Sequence, residues 1–230
     1  MSDGDSLDDF YARVGRGAAA TTSQPPTEAF ESAFARAAER GAAEVLSIHL
    51  DARVSGTVDA ARRAAATSLV PVHVVDTRAL SFGVTVCVRA AVVALSDSGS
   101  LDAAASAAVR AGALLRTAFV ARPARSGRIP ARDGWTVFTY EDGTVAPVAT
   151  PSSVEEAVRV MAELVLAEEA PLWVAVGHAG ADVEQPADDL AHRLVGAECV
   201  RGVERYRVGA AVGAHTGPRS FGLFWWPTGT

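Results

Sequence analysis

Three short segments place hydroxyls or an imidazole beside apolar elements: Thr22-Ser23-Gln24-Pro25, Ser55-Gly56-Thr57 and His215-Thr216-Gly217-Pro218. Groups of this kind can hold a carboxylate, because a hydroxyl or ring N–H donates to an anionic oxygen. Ser55-Gly56-Thr57 follows a predicted strand and opens a predicted helix, so first-turn amides point out of the strand's carboxyl end, where anions bind. Gly56 permits close approach to the backbone there. Thr22 lies on a loop able to carry its hydroxyl to the same edge. His215 falls between two predicted apolar strands, where Gly213, Gly217 and Pro218 suggest a tight turn presenting the imidazole. Each segment alone reads equally well as a helix cap or a surface turn.

Composition removes several alternatives. The chain has 230 residues, 49% of them hydrophobic, enough for one large domain or two modest ones. All 21 basic side chains are arginine, which excludes a Schiff base, a Walker-type phosphate loop and a lysine general base. The net charge of −6 argues against a phosphate-backbone binder, so nucleic acid is not an expected partner. Cys87 and Cys199 stand alone, without metal spacing or a disulfide framework. His49, His73, His178 and His192 form no ligand set with cysteines or carboxylates, so no metal is expected. The acidic start and the absence of a long uncharged apolar run point to a soluble, cytoplasmic chain without membrane insertion.

The elements that must position these residues follow from periodicity and punctuation. Ser6 with Asp9 caps a short helix bearing Phe10, Tyr11 and Val14 on one face, and prolines then open a helix through Phe30 and Phe34 to Gly41. A strand at 44–50, a helix at 55–66 and a strand at 70–76 form a β-α-β unit. Helices at 82–95 and 101–115 and a strand at 117–121 continue the alternation, predicting a largely parallel sheet covered by helices. Beyond Gly134 the pattern becomes a hairpin around Glu141-Asp142-Gly143, then a helix opened by a capping box at Ser152 and Glu155. A strand at 172–177, a helix at 187–195 and strands at 203–212 and 221–226 complete this part. The expected division is 1–121 as an N-terminal α/β lobe and 122–230 as a smaller α+β lobe.

Taken in order, Phe10-Tyr11, Thr22 to Pro25, Ser55 to Thr57 with Ala60, Val75-Asp76-Thr77, Ser81-Phe82-Gly83, Gly127-Arg128-Ile129, Asp142-Gly143, His178 and His215 to Pro218 resemble the DegV family of fatty-acid-binding proteins. The resemblance covers most of the chain. It implies a two-lobed α/β fold: a parallel-sheet α/β/α lobe lacking the family's usual first strand, and a smaller α+β lobe with a mixed sheet. It implies a long-chain fatty acid as ligand, with no other cofactor, held in an apolar tunnel. Carboxyl contact then falls to Thr22 and to Ser55, Gly56 and Thr57, with His215 beside them. The family pattern makes the protein a carrier and not an enzyme, presenting the acid to a separate fatty acid kinase, with Arg128 in the docking loop.

One departure is Asp51-Ala52, where the family tends to have a Ser-Ser pair; a carboxylate there repels an acid unless one of them is protonated or Arg53 compensates. That leaves two further readings: a degenerate relative acting as a partner-binding module, and a serine hydrolase using Ser55, His215 and Asp51 or Asp76. The hydrolase lacks a Gly-x-Ser-x-Gly elbow around Ser55.

Overall fold

The computed structural model describes residues 6–122, 129 and 134–229. In chain order the first elements are α1 (Leu7–Gly15), α2 (Thr27–Glu39), β1 (Val45–His49), α3 (Thr57–Ala65), β2 (Val72–Asp76), α4 (Phe82–Ser98), α5 (Leu101–Leu114) and β3 (Arg116–Val120). They are followed by β4 (Val137–Glu141), β5 (Thr144–Ala149), α6 (Val154–Leu166), β6 (Leu172–His178), α7 (Glu184–Leu194), β7 (Val200–Arg207), α8 (Ala210–Thr216) and β8 (Phe221–Pro227). The chain divides into two compact units: Ser23–Leu115, and Met1–Thr22 together with Arg116–Gly229. The expected division at 121/122 instead kept Met1–Thr22 and Arg116–Ala121 with the residues between them.

In the Ser23–Leu115 unit, β1 and β2 pair in parallel from Val45↔Val72 to His49↔Asp76, with α3 as the crossover predicted from the β-α-β pattern. α4 and α5 form an antiparallel pair whose shared face is almost all small: Cys87, Ala90 and Ala91 join Ala104, Ala107, Ala108 and Ala111 in one buried cluster with Val75. Small residues let two helix backbones approach closely, and Gly112 carries this furthest: a Cβ there would collide with the Thr77 carbonyl oxygen. Burial pushes the Cys87 thiol up to about 11, so it stays protonated at neutral pH.

The other unit is built on a six-stranded sheet in the order β5-β4-β3-β8-β6-β7. Among the described residues its one parallel pair is β6 with β7, joined by α7; the remaining pairs are antiparallel. Alternation assigns the two faces. Leu172, Val174 and Val176 of β6, Phe221, Leu223 and Trp225 of β8, and Ala118 and Val120 of β3 pack with Val158, Met161 and Val165 of α6 and Leu190 and Leu194 of α7. On the opposite face Phe119, Gly222, Gly177 and Tyr206 stand side by side across four strands. A Cβ on Gly177 would enter the Tyr206 ring, so this glycine lets the ring lie flat on the sheet.

α1 starts as the sequence predicts: Ser6 Oγ accepts from Asp9 N at 3.1 Å while the Asp9 carboxylate accepts back from Ser6. Its face of Phe10, Tyr11 and Val14 packs with Ala179 and Val208. The Tyr11 hydroxyl donates to Val208 O at 2.6 Å, and burial pushes its pKa up to about 12.

Four expectations change. The strand after α5 belongs to the six-stranded sheet, so the parallel sheet has two strands and the mixed sheet is the larger. Residues 210–212, read as the end of a long strand, and 213–216, read as a tight turn, together form α8. The expected capping box before α6 is replaced by a cap one residue later: Ser153 is the N-cap and its Oγ accepts from Glu156 N at 3.2 Å, while the Glu156 carboxylate accepts from Ser152 N, one residue ahead of the cap, at 2.7 Å. Ser55 does not open α3: Gly56 is the N-cap residue and Ser55 precedes it. The hairpin turn is as expected, with Asp142 and Gly143 both at positive φ (49° and 83°), the pairing that suits a two-residue connection between twisted strands.

Candidate functional site

Two groups of donors are assembled, one in each unit. In the larger unit, Thr22 Oγ1 and His215 Nε2 share a hydrogen bond of 2.8 Å although 193 positions separate them, and both residues are exposed. His215 lies in the last turn of α8, not on a turn between strands. α8 is seated on Tyr11 through Gly213, where any Cβ would meet the phenol ring. The segment after His215 is pinned by Thr216 Oγ1 against Ser220 Oγ at 2.8 Å, by Gly217 N donating to Gly213 O at 2.8 Å, and by Gly180 N donating to Pro218 O at 2.8 Å. Gly217 has φ of 85°, a backbone form that glycine adopts without strain. The imidazole is therefore held from both sides in sequence while its own ring stays at the surface.

In the Ser23–Leu115 unit, Ser55 Oγ and Thr57 Oγ1 are 2.7 Å apart, and Thr57 N donates to Ser55 Oγ at 3.3 Å. Both hydroxyls stand just before or at the start of α3, whose dipole favours a negative charge there. Gly56 does admit a close neighbour: a Cβ on it would strike the side-chain amide of Gln24. In the sequence Gln24 reads only as part of a turn, and its amide against Gly56 has no local sequence signal, since the two are 32 positions apart. Asp51 is fully buried and paired with Arg53 at 2.7 Å, so the compensation expected of Arg53 is in place.

The remaining histidines lie outside these two donor groups. His178 ends β6, buried, with Nδ1 3.4 Å from Gly180 O, and burial lowers its pKa. His49 shares a 2.6 Å bond with Ser47 Oγ and meets the Phe30 ring edge-on at 5.4 Å; burial lowers its pKa as well. His73 stands between Glu44 at 3.4 Å and Asp102 at 3.7 Å, and His192 lies in the last turn of α7. Among the described residues no group of three or more His, Cys, Asp or Glu could hold a metal ion, and no helix is long and apolar enough to cross a membrane. Arg128 lies outside the described residues.

The depressed histidines set a pH dependence. A histidine with a folded pKa below its ordinary 6.5 binds its proton more readily when unfolded. Stability from this source is full above about pH 6.5 and is lost as pH falls through the lower folded value. Thermal melts should show Tm falling as pH drops below about 6.5, with a shallower fall in His178→Gln; an unchanged slope in that variant would remove His178 from the account.

The family model for the uncharacterised DegV family (COG1307) matches residues 2–228. Among curated relatives, the chain is 33% identical over 219 residues to the DegV domain-containing protein SCO2569 of Streptomyces coelicolor, covering 88% of this chain and 77% of that one. It is 30% identical over 211 residues to the DegV domain-containing protein Rv2417c of Mycobacterium tuberculosis, covering 84% and 75%. Among solved structures it is similar to a fatty-acid-binding DegV family protein of Thermus thermophilus, at 26% identity and a TM-score of 0.86 over 98% of this chain and 86% of that one. DegV of Bacillus subtilis, a fatty-acid-binding protein, shares the fold at 20% identity and a TM-score of 0.83, covering 96% and 84%. The order of motifs, the paired sheets and these matches agree: the chain belongs to the DegV family.

Proposed function

We propose that this protein binds a long-chain fatty acid and acts as a carrier, not a catalyst. The observation that carries the reading is the match to the fatty-acid-binding Thermus thermophilus relative across 98% of the chain, in a protein that has paired hydroxyl and imidazole donors at the expected motifs. Thr22, Ser55, Gly56, Thr57 and His215 serve the carboxyl head group in this reading. The hydroxyls donate to its oxygens, His215 donates through a ring N–H, and Gly56 keeps the turn slim. An acyl chain of sixteen to eighteen carbons brings about 0.8 kcal/mol for each CH₂ removed from water, so apolar burial supplies affinity and the donors supply orientation. In the finer form of the proposal the protein presents the bound acid to a separate kinase, with Arg128 in the docking loop; the Mg²⁺ and cationic groups that phosphoryl transfer needs would come from that partner.

Mass spectrometry of the purified protein under native conditions is the direct test. A bound acyl chain, or stoichiometric uptake of palmitate or oleate after delipidation, is the expected result. Protein that carries no lipid and takes up neither acid overturns the reading.

A further inference from the structure

Gly56 has no backbone reason to be glycine. Its φ of −74° and ψ of 10° lie at negative φ, which any residue adopts. What a side chain would lack there is room. The Gln24 amide occupies the place of a Cβ, with Cδ 2.9 Å and Nε2 3.2 Å from that point and Oε1 closer still. Gln24 and Gly56 belong to the same unit, Ser23–Leu115, and Gln24 is exposed. Among the described residues its amide has no hydrogen-bond partner, so two N–H donors and a carbonyl acceptor stand uncommitted against the turn that carries Ser55 and Thr57.

The hydroxyl pair on that turn is short of donors. Ser55 Oγ and Thr57 Oγ1 have two protons between them, and the 2.7 Å bond they share uses one. The Thr57 N–H is spent on Ser55 Oγ. The pair therefore keeps a single O–H for a ligand, whereas a carboxylate has about four acceptor positions. We propose that Gln24 is a specificity-determining residue for the acid head group: its Nε2 donates to the carboxylate bound at the Ser55 turn, and position 56 is glycine so that the amide can reach it. This rests on the fatty-acid reading above. The amide contributes donors without contributing charge, so its replacement by a carboxylate of the same shape turns attraction into repulsion for an acid and leaves a neutral lipid of equal length nearly indifferent.

The test measures binding of palmitate and of 1-hexadecanol to delipidated wild type, Gln24→Ala, Gln24→Glu, Gly56→Ala and the variant carrying Gln24→Ala with Gly56→Ala. Gln24→Ala is expected to lose palmitate affinity roughly three- to tenfold. Gln24→Glu should lose at least about tenfold for palmitate while hexadecanol stays within about threefold, a split that a merely structural role of Gln24 would not give. Gly56→Ala meets the end of a flexible side chain, so the amide swings away and the fold is kept; its palmitate loss should match that of Gln24→Ala. The double variant should then bind palmitate no more weakly than either single one, because both changes remove the same donor. Should Gly56→Ala not fold, the Gln24→Ala and Gln24→Glu comparison decides alone. Full palmitate affinity in Gln24→Ala, equal losses of acid and alcohol in Gln24→Glu, or losses that simply add in the double variant would overturn the proposal. Wild type that does not bind palmitate would bring down the fatty-acid reading and this inference with it; wild type that binds palmitate no better than Gln24→Glu does sinks this inference alone.

Discussion

Gly112→Val should destabilise the protein by about 3 kcal/mol, lowering Tm by roughly 6–12 °C. Helix propensity argues the other way: glycine inside a helix costs about 1 kcal/mol relative to alanine, so replacing it with a better helix former normally helps. At Gly112 the deciding contact is with backbone. Any Cβ would run into the Thr77 carbonyl oxygen, which cannot swing aside as a side-chain terminus would, and the Cys87 sulfur lies 3.5 Å from the same point. Thr77 is also fixed by its hydroxyl, which donates to His49 O at 2.8 Å, and by its N–H, which donates to His49 O at 3.1 Å. Relief must come from moving α5 away from β2, which opens the alanine interface with α4. The diagnostic is the sign for Gly112→Ala, read by thermal melts. It should destabilise, whereas Ser106→Ala on the exposed side of the same helix should be neutral or slightly stabilising. A more stable Gly112→Ala would show that α5 does not rest on the Thr77 carbonyl.

Leu190→Ala is expected to cost about 2–5 kcal/mol, seen as a Tm lower by roughly 4–20 °C. Leu190 is fully buried in α7 and belongs to the cluster that fills the helix-covered side of the six-stranded sheet. Truncation removes apolar surface from a packed site and leaves a void whose walls are β-sheet and helix, neither free to collapse. Leu190→Met conserves volume and should cost below about 1.5 kcal/mol. Equal melts for the alanine variant and wild type would contradict the packing described for α7.

Much of this architecture was legible in the sequence. The β1-α3-β2 unit, the α4–α5 pair, the Asp142-Gly143 hairpin and the Ser6–Asp9 cap each depend on residues within about 30 positions of each other, and periodicity or turn chemistry reports such local order. What the sequence did not disclose is pairing at long range. Nothing in Arg116–Val120 says that it joins β4 and β8 instead of the parallel pair, because an apolar strand reads the same beside any neighbour. Ala210 to Ala214 is apolar and alanine-rich, a run that fits a strand end and a short helix alike; Gly209 and the seat on Tyr11 decide for helix. For the site, Thr22 and His215 were readable as donor-bearing segments, but their 2.8 Å contact is a product of the fold. Gln24 against Gly56 was not foreseen for the same reason. The Asp51 and Arg53 pairing was partly visible, since two residues of opposite charge on one turn can meet without help from elsewhere.

The place of β8 has a bearing on how the protein is made. It is the last strand in chain order, yet it lies between β3 and β6 and is hydrogen-bonded to both. Until residues 221–227 emerge from the ribosome, β3 and β6 lack the strand that lies between them, and any β5-β4-β3 or β6-β7 pairing formed earlier has an unfilled edge. The nascent chain must therefore keep those edges from pairing with other chains until its keystone has been made, whereas β1 and β2 of the Ser23–Leu115 unit are both made long before.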